Sequence, residues 1–233
     1  SFPTRRSSDL GKLSVKVSET GTSYYNVFVD GKLHKVVKVC GTDTLIHLVS
    51  GIDKRIHSLK IQKRSEGEFG KTTVHQFVLS GSGRLAEEPA VRTRHIEFIG
   101  NSLTCGYGTD GKHRDEPFLV ETENCNLTFA SMLARYYDAD YTLIAHSGRG
   151  AARNYGDSVR VSKVTMKDRM LNTFDEDLTH KWNFKEYRPD LVVINLGSND
   201  FSTEPHPYKS EFTKAYKQIL AQLREHYGDI PIL

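Results

Sequence analysis

Three short polar turns in this sequence each follow an apolar run, and their residue types suit acyl transfer. Ile96-Glu97-Phe98-Ile99 leads into Gly100-Asn101-Ser102-Leu103-Thr104. Tyr141-Thr142-Leu143-Ile144-Ala145 leads into His146-Ser147-Gly148-Arg149-Gly150. Leu191-Val192-Val193-Ile194-Asn195 leads into Leu196-Gly197-Ser198-Asn199-Asp200. In a parallel sheet the carboxyl ends of the strands share one edge, where open α/β folds seat their ligands. Ser102 would then lie at a strand-to-helix turn, where backbone N–H groups point outward and favour negative charge. A serine so placed can attack an acyl carbon while its own N–H supports the oxyanion. The N–H of Gly148 and the side-chain NH2 of Asn199 are further donors. Without a Cβ, Gly148 lets a reacting group approach closely. Each piece also has a plainer reading. A serine before a helix is commonly an N-cap, a lone glycine marks a turn, and Asn199-Asp200 fits an Asx-type cap. The repetition at successive strand ends is what favours chemistry.

The elements that must position these turns follow from periodicity. Residues 11–80 read as short strands without a long helical pattern. Leu13–Val17 alternates with period two, and Thr44–Val49, His57–Gln62 and Thr73–Leu79 add strands. Tyr25–Val29, Asp30-Gly31 and Lys32–Val37 predict a hairpin with its turn at Asp-Gly. This spacing points to an antiparallel sandwich. A loop-like boundary runs from Gly81-Ser82-Gly83 to Glu87-Glu88-Pro89. Beyond it strands alternate with helices: His95–Ile99, helix Leu127–Tyr137, Tyr141–Ala145, Leu191–Asn195, helix Tyr208–His226, and a strand from Ile230. That order predicts a parallel α/β sheet covered on both faces.

Composition narrows the class without naming a function. The 233 residues hold 32 Lys+Arg against 29 Asp+Glu, a net charge of +3, which gives no bias toward nucleic acid or anionic membrane. No apolar run approaches the roughly 20 residues of a membrane-spanning helix. Three cysteines are too few for a disulfide scaffold. Cys105 and Cys125 are a candidate pair against the plainer reading of buried thiols. The basic stretch Lys54, Arg55, Lys60, Lys63, Arg64 is most simply a solvated strand face. Asn126-Leu127-Thr128 fits a glycosylation acceptor, a triplet frequent by chance. Trp182, Tyr107 and Tyr155 are candidate sugar-stacking walls against a packing role. Arg149 and Arg153 either brace the glycine turn or contact substrate. Asp190 and Asp200 read as turn organisers.

The three turns also resemble a known family. Ile96-Glu97-Phe98-Ile99-Gly100-Asn101-Ser102-Leu103-Thr104-Cys105-Gly106-Tyr107-Gly108 resembles the first block of the SGNH (GDSL-type) hydrolases. Ser147-Gly148-Arg149-Gly150 with Arg153-Asn154-Tyr155 resembles the glycine block, and Pro189 to Phe201 the asparagine block. More narrowly, the chain resembles carbohydrate esterase family 2, whose members join a small jelly-roll sandwich to an SGNH domain. Arg64 to Thr73 is similar to that sandwich. The implied fold is a jelly-roll-like β-sandwich over 11–88 followed by a three-layer αβα domain with a parallel sheet over 95–233. The implied activity is removal of O-acetyl groups from plant cell-wall polysaccharides of the xylan or mannan type. An acetylated polysaccharide or oligosaccharide is then the partner, with no metal, cofactor, nucleic acid or membrane, and a secreted or periplasmic location. By residue, Ser102 matches the nucleophile, and Gly148 and Asn199 the oxyanion partners. The alternatives are a glycan-binding protein with a degenerate SGNH domain, or an SGNH esterase or lipase on another small ester.

Two departures stand out. The family's Asp before the serine is Asn101 here, which is expected to alter turn geometry or electrostatics modestly. The family's catalytic histidine, carried in a C-terminal block, has no match among the ten histidines. His113 and His206 are the nearest substitutes, and His146 reads as a strand-end packing or hydrogen-bonding residue. A serine without a base is a weak nucleophile, so these 233 residues alone are expected to show little or no esterase activity. SFPTRRSSDL at residues 1–10 carries no strand or helix period and resembles a translated sequencing adapter, so it reads as a non-native leader. With Ile230-Pro231-Ile232-Leu233 looking like the start of a strand, the sequence reads as a fragment cut at both ends.

Overall fold

The computed structural model describes residues 2–5, 12–51, 56–81, 84–86 and 92–233. Two units divide the chain: one up to Val91 together with Leu119–Glu121, the other Arg92–Phe118 and Thr122–Leu233. Leu119–Glu121 joins the first unit although it lies far along the sequence. The boundary residues 82–83 and 87–91 lie outside the described residues, as do Lys54 and Arg55.

The first unit is a sandwich of two antiparallel sheets. Its strands are β1 (Phe2–Arg5), β2 (Lys12–Glu19), β3 (Thr22–Val29), β4 (Lys32–Cys40), β5 (Thr44–Ser50), β6 (His57–Lys63), β7 (Thr72–Ser80) and β8 (Arg84–Leu85). One sheet has the order β4-β3-β6-β1-β8 and the other β5-β2-β7. The expected hairpin is present: β3 pairs with β4, and Asp30 and Gly31 both take positive φ (51° and 77°). Both central residues of a type I′ turn need that conformation. Period-two alternation sends Leu13, Val15 and Val17 inward, against Val27, Val39 and Leu48.

Two expectations fail here. Phe2–Arg5 forms a strand, pairing antiparallel with β6 and β8, although those residues show no period. Arg64 is not part of a solvated face. It is buried, and its guanidinium donates to Asn26 Oδ1 at 3.3 Å and to the Glu121 carbonyl at 3.0 Å. A guanidinium that finds fixed acceptors is tolerated inside.

The second unit is built on a parallel sheet of β9 (His95–Gly100), β10 (Asp140–Ala145) and β11 (Leu191–Ile194), in the order β10-β9-β11. Its helices are α1 (Ser102–Cys105), α2 (Phe129–Tyr136), α3 (Met166–Arg169) and α4 (Lys209–Tyr227). The α2 helix begins later than expected. Thr128 caps it by accepting from Ser131 N–H, and Cys125–Leu127 forms a separate 3-10 turn. Alternation along β9 makes three layers. Ile96 and Phe98 pack with Ala130 and Ala134 of α2, whereas Ile99 packs with Ile219, Leu223 and Tyr227 of α4. The residues after α4 pair in parallel with β11, through the Ile232–Val192 bridge and hydrogen bonds from Val192 N–H to the Pro231 carbonyl, Leu233 N–H to the Val192 carbonyl and Ile194 N–H to the Leu233 carbonyl. Among the described residues no helix is long and apolar enough to cross a membrane.

On the α4 side, buried Glu97 accepts from Tyr227 Oη at 2.9 Å. Burial pushes the Glu97 carboxyl above its usual range, although the Tyr227 hydrogen bond opposes this. Burial and the neighbouring carboxylate also push the Tyr227 hydroxyl up. Glu97 thus holds its proton more tightly folded than unfolded. The contribution of Glu97 to stability is fully present below the unfolded carboxyl value, about 4.3, and is lost as pH rises through the folded value. Glu97→Gln keeps an acceptor for Tyr227 and removes the titration. It should be more stable than the parent at pH 7 and flatten the fall above about pH 4.3 in urea unfolding. A less stable variant at pH 7 contradicts this.

Candidate active site

The parallel register sets the three turns side by side. Ala145 lies opposite Gly100, and Ile194 opposite Ile99, so all three strands end at nearly the same level. Each turn then leaves from the same edge of the sheet, as the sequence pattern predicts.

The serine turn is capped by Asn101, which is fully buried. Its Oδ1 accepts from Leu103 N–H at 3.2 Å, and α1 follows at once. Ser102 is therefore the first residue of that helix and is partly exposed. With only four residues, α1 contributes little macrodipole. The electrostatic help available at this turn comes from individual N–H groups.

In the glycine turn, Gly148 has φ +76°, and a Cβ built there would meet nothing within 4 Å. The positive φ favours glycine here, and the space beside its Cα is open. The Gly148 carbonyl accepts from Tyr155 N–H at 2.8 Å, which holds Tyr155 beside the turn. Arg153 braces the structure: it is buried and donates to the Val159 carbonyl at 3.1 Å, to Thr203 Oγ1 at 3.0 Å and to the Asp157 carbonyl.

The asparagine turn ties the other two together. Asn199 is buried, and its Nδ2 donates to the Arg149 carbonyl at 2.8 Å. Asp200 is fully buried and accepts three backbone N–H groups: Ala151 at 3.0 Å, Ala152 at 2.7 Å and Arg153 at 2.9 Å. Asn101 Nδ2 donates to Ser198 Oγ at 2.9 Å. Asp190 likewise organises a turn, accepting from His95 N–H at 2.8 Å.

The histidines separate clearly. His146 is buried and its Nδ1 bonds to the Asp175 carboxylate. Arg169 joins that carboxylate at 3.2 Å and Glu176 at 2.9 Å. Burial alone would raise the Asp175 carboxyl, but His146 and Arg169 together hold it below its ordinary value. His146, Asp175 and Glu176 bring ligand atoms within 4.8 Å of one another, a spacing open to a metal. The Arg169 guanidinium already supplies positive charge to both carboxylates. His206 sits beside Glu204 at 3.3 Å and is substantially exposed; His113 is exposed.

The weaker signals take mainly structural roles. Cys40, Cys105 and Cys125 are thiols, so the Cys105–Cys125 pairing is not made. Asn126 Oδ1 accepts from Arg135 at 2.9 Å, and Thr128 of the same triplet caps α2. Tyr107 stacks on Phe118 with ring centroids 3.6 Å apart, and Tyr155 and Trp182 are exposed in part. Sequence reasoning missed Ser198 as a tie and Asp175, Arg169 and Glu176 around His146. Ser198 lies 97 residues from Asn101 and Asp175 lies 29 from His146, so neither pairing leaves a local signal.

Residues 98–233 match the GDSL-like lipase/acylhydrolase family, and residues 11–89 match the carbohydrate esterase 2 N-terminal domain. The chain belongs to the GDSL-like acylhydrolases, in carbohydrate esterase family 2. The cellulase/esterase CelE of Acetivibrio thermocellus is 36% identical over 219 residues, 94% of this chain and 26% of that protein. An acetylxylan esterase / glucomannan deacetylase of Cellvibrio japonicus is 33% identical over 182 residues, 77% of this chain and 49% of that protein. The chain thus spans about a quarter and about half of these two relatives. A family two carbohydrate esterase from Clostridium thermocellum, solved in complex with cellohexaose, matches with a TM-score of 0.91 at 34% identity. That match covers 99% of this chain and 68% of the other.

In this carbohydrate esterase 2 chain, Asn101 keeps the cap that an aspartate would make, because Oδ1 still accepts from Leu103. It adds an amide donor toward Ser198 and removes a charge. The heavier structural burden falls on Asp200. Asp200→Ala would leave three buried N–H groups without an acceptor, and each such group costs about 1–3 kcal/mol. Denaturant unfolding should show a loss of about 3 kcal/mol or more. A change within about 0.5 kcal/mol would contradict the tie.

Proposed function

We propose that this protein is a serine esterase that removes O-acetyl groups from a plant cell-wall polysaccharide of the xylan or mannan type. The observation that carries the reading is the set of three strand-end turns at one sheet edge, joined by Asn101–Ser198, Asn199–Arg149 and Asp200 bonds. The similarity to an acetylxylan esterase / glucomannan deacetylase supports the substrate class.

In this reading Ser102 Oγ attacks the acetyl carbonyl carbon. The C=O π bond opens, and the oxyanion is met by the N–H groups of Ser102 and Gly148 and by Asn199 Nδ2. Asn199 commits one amide hydrogen to Arg149, which fixes the side chain and aims the second. The sugar oxygen leaves with a proton, giving an acetyl-serine; water then attacks it and releases acetate. The base that takes the Ser102 proton is not assigned to any of the ten histidines. Paired with Asp175, His146 serves to anchor the end of β10. By these assignments the turns hold the nucleophile and the oxyanion partners, and Asp200 and Asn101 hold the turns.

Acetate release from acetylated xylan and glucomannan by the gene product tests this. Ser102→Ala should lower kcat by about three orders of magnitude or more. Asn199→Ala should lower it by about 10²–10³. Release that survives Ser102→Ala would sink the proposal. The solved relative in complex with cellohexaose favours one competing reading, a glycan binder without catalysis. Saturable oligosaccharide binding with no acetate release by the gene product would establish that reading instead.

A further inference from the structure

The first unit holds an apolar cavity of about 350 Å³ between its two sheets. Val17, Val39 and Leu48 line it and are buried. Val74 also lines it yet is 54% exposed, which marks the mouth. Beside it the β2–β7 ladder slips: Lys16 faces Gln76 but Val17 faces Val74, so His75 is an extra residue. Such a bulge bends its strand and opens the sandwich there. Cores ordinarily close to crystal-like density with few voids larger than a water molecule. An apolar cavity of about 150 Å³ is enough to take benzene, and this one has more than twice that volume.

One polar chain borders the cavity, and its direction is fixed. Tyr25 and Thr72 both line the space. Tyr25 Oη donates to Thr72 Oγ1 at 2.7 Å, and Thr72 Oγ1 donates to the Glu19 carboxylate. Because an ionised carboxylate only accepts, both hydroxyl protons are committed in that direction. Burial would raise the Glu19 carboxyl, but hydrogen bonds from Thr72, Ser23 and Gly21, with nearby Lys63, hold it below its usual value. What the Tyr25 oxygen still offers is therefore an acceptor. A carboxylic acid ligand would bring a second negative charge toward Glu19; a hydroxyl would not.

We propose that this cavity is a binding site for a small apolar alcohol or phenol, with its hydroxyl donating to Tyr25 Oη and its hydrocarbon body over Val17, Val39 and Leu48. By proportion to the benzene cavity, the body is about two fused rings in size. The site is independent of the ester chemistry proposed for the second unit.

Calorimetric titration of the gene product with 2-naphthol, naphthalene and 2-naphthoate tests it. Saturable binding of one 2-naphthol is expected, with naphthalene about fivefold weaker for want of one hydrogen bond and 2-naphthoate weaker again. Tyr25→Phe keeps the cavity, so it should bring 2-naphthol down to the affinity of naphthalene and leave naphthalene unchanged. Val37→Phe, a filling change in the wall, should abolish binding of both. Should that variant not fold, the Tyr25→Phe comparison decides alone. No saturable 2-naphthol binding, an affinity that Tyr25→Phe leaves unchanged, or a preference for 2-naphthoate would overturn the proposal.

Discussion

The buried carboxylate of Asp200 is the constraint on which the rest of the site depends. It lies just after the asparagine turn and accepts the N–H groups of three consecutive residues following the glycine turn. Backbone donors in a tight turn have no ladder to satisfy them, and leaving them buried without acceptors is costly. One carboxylate answers all three and joins two turns that lie about fifty residues apart in sequence. Its neighbour Asn199 adds the second tie, through the Arg149 carbonyl. The two residues therefore divide the work. Asp200 holds the glycine turn in place, and Asn199 links the asparagine turn to the glycine turn.

The sheet makes such ties possible. Parallel register brings β9, β10 and β11 to one edge at the same level, so short side chains suffice to link the turns. Asn101 completes the set by capping α1 with its oxygen and reaching Ser198 with its amide. Where an aspartate would make Ser198 the donor, the asparagine makes it the acceptor. The His146–Asp175–Arg169 group anchors the β10 end in a different way, through charge balanced inside the fold. Preorganised donors of this kind are what oxyanion stabilisation requires, since they need no rearrangement when charge develops.

Much of this was legible in the sequence, and for identifiable reasons. Uninterrupted apolar runs ending in Gly-containing polar turns marked β9, β10 and β11, and the Asp30-Gly31 pair marked the hairpin between β3 and β4. Asp190 and Asp200 read correctly as turn organisers because short acidic side chains bond nearby backbone. What escaped was set by distant partners. Arg64 looked like a solvated base, but Asn26 and the Glu121 carbonyl satisfy it inside. Arg153 left two readings open until its carbonyl partners were seen. The start of α2 moved because Thr128, within an apparent glycosylation triplet, serves as its cap. Phe2–Arg5 has no period of its own and pairs as a strand only through β6 and β8.

In the proposed reaction the three turns converge on one reacting centre. A crystal structure of the gene product carrying a methylphosphonate on Ser102 tests it most directly, because the tetrahedral phosphorus imitates the attacked acyl carbon. One phosphonyl oxygen is expected about 2.7–3.1 Å from Ser102 N, Gly148 N and Asn199 Nδ2 together. An adduct whose oxygens face solvent, with Gly148 and Asn199 out of hydrogen-bond reach, would contradict it.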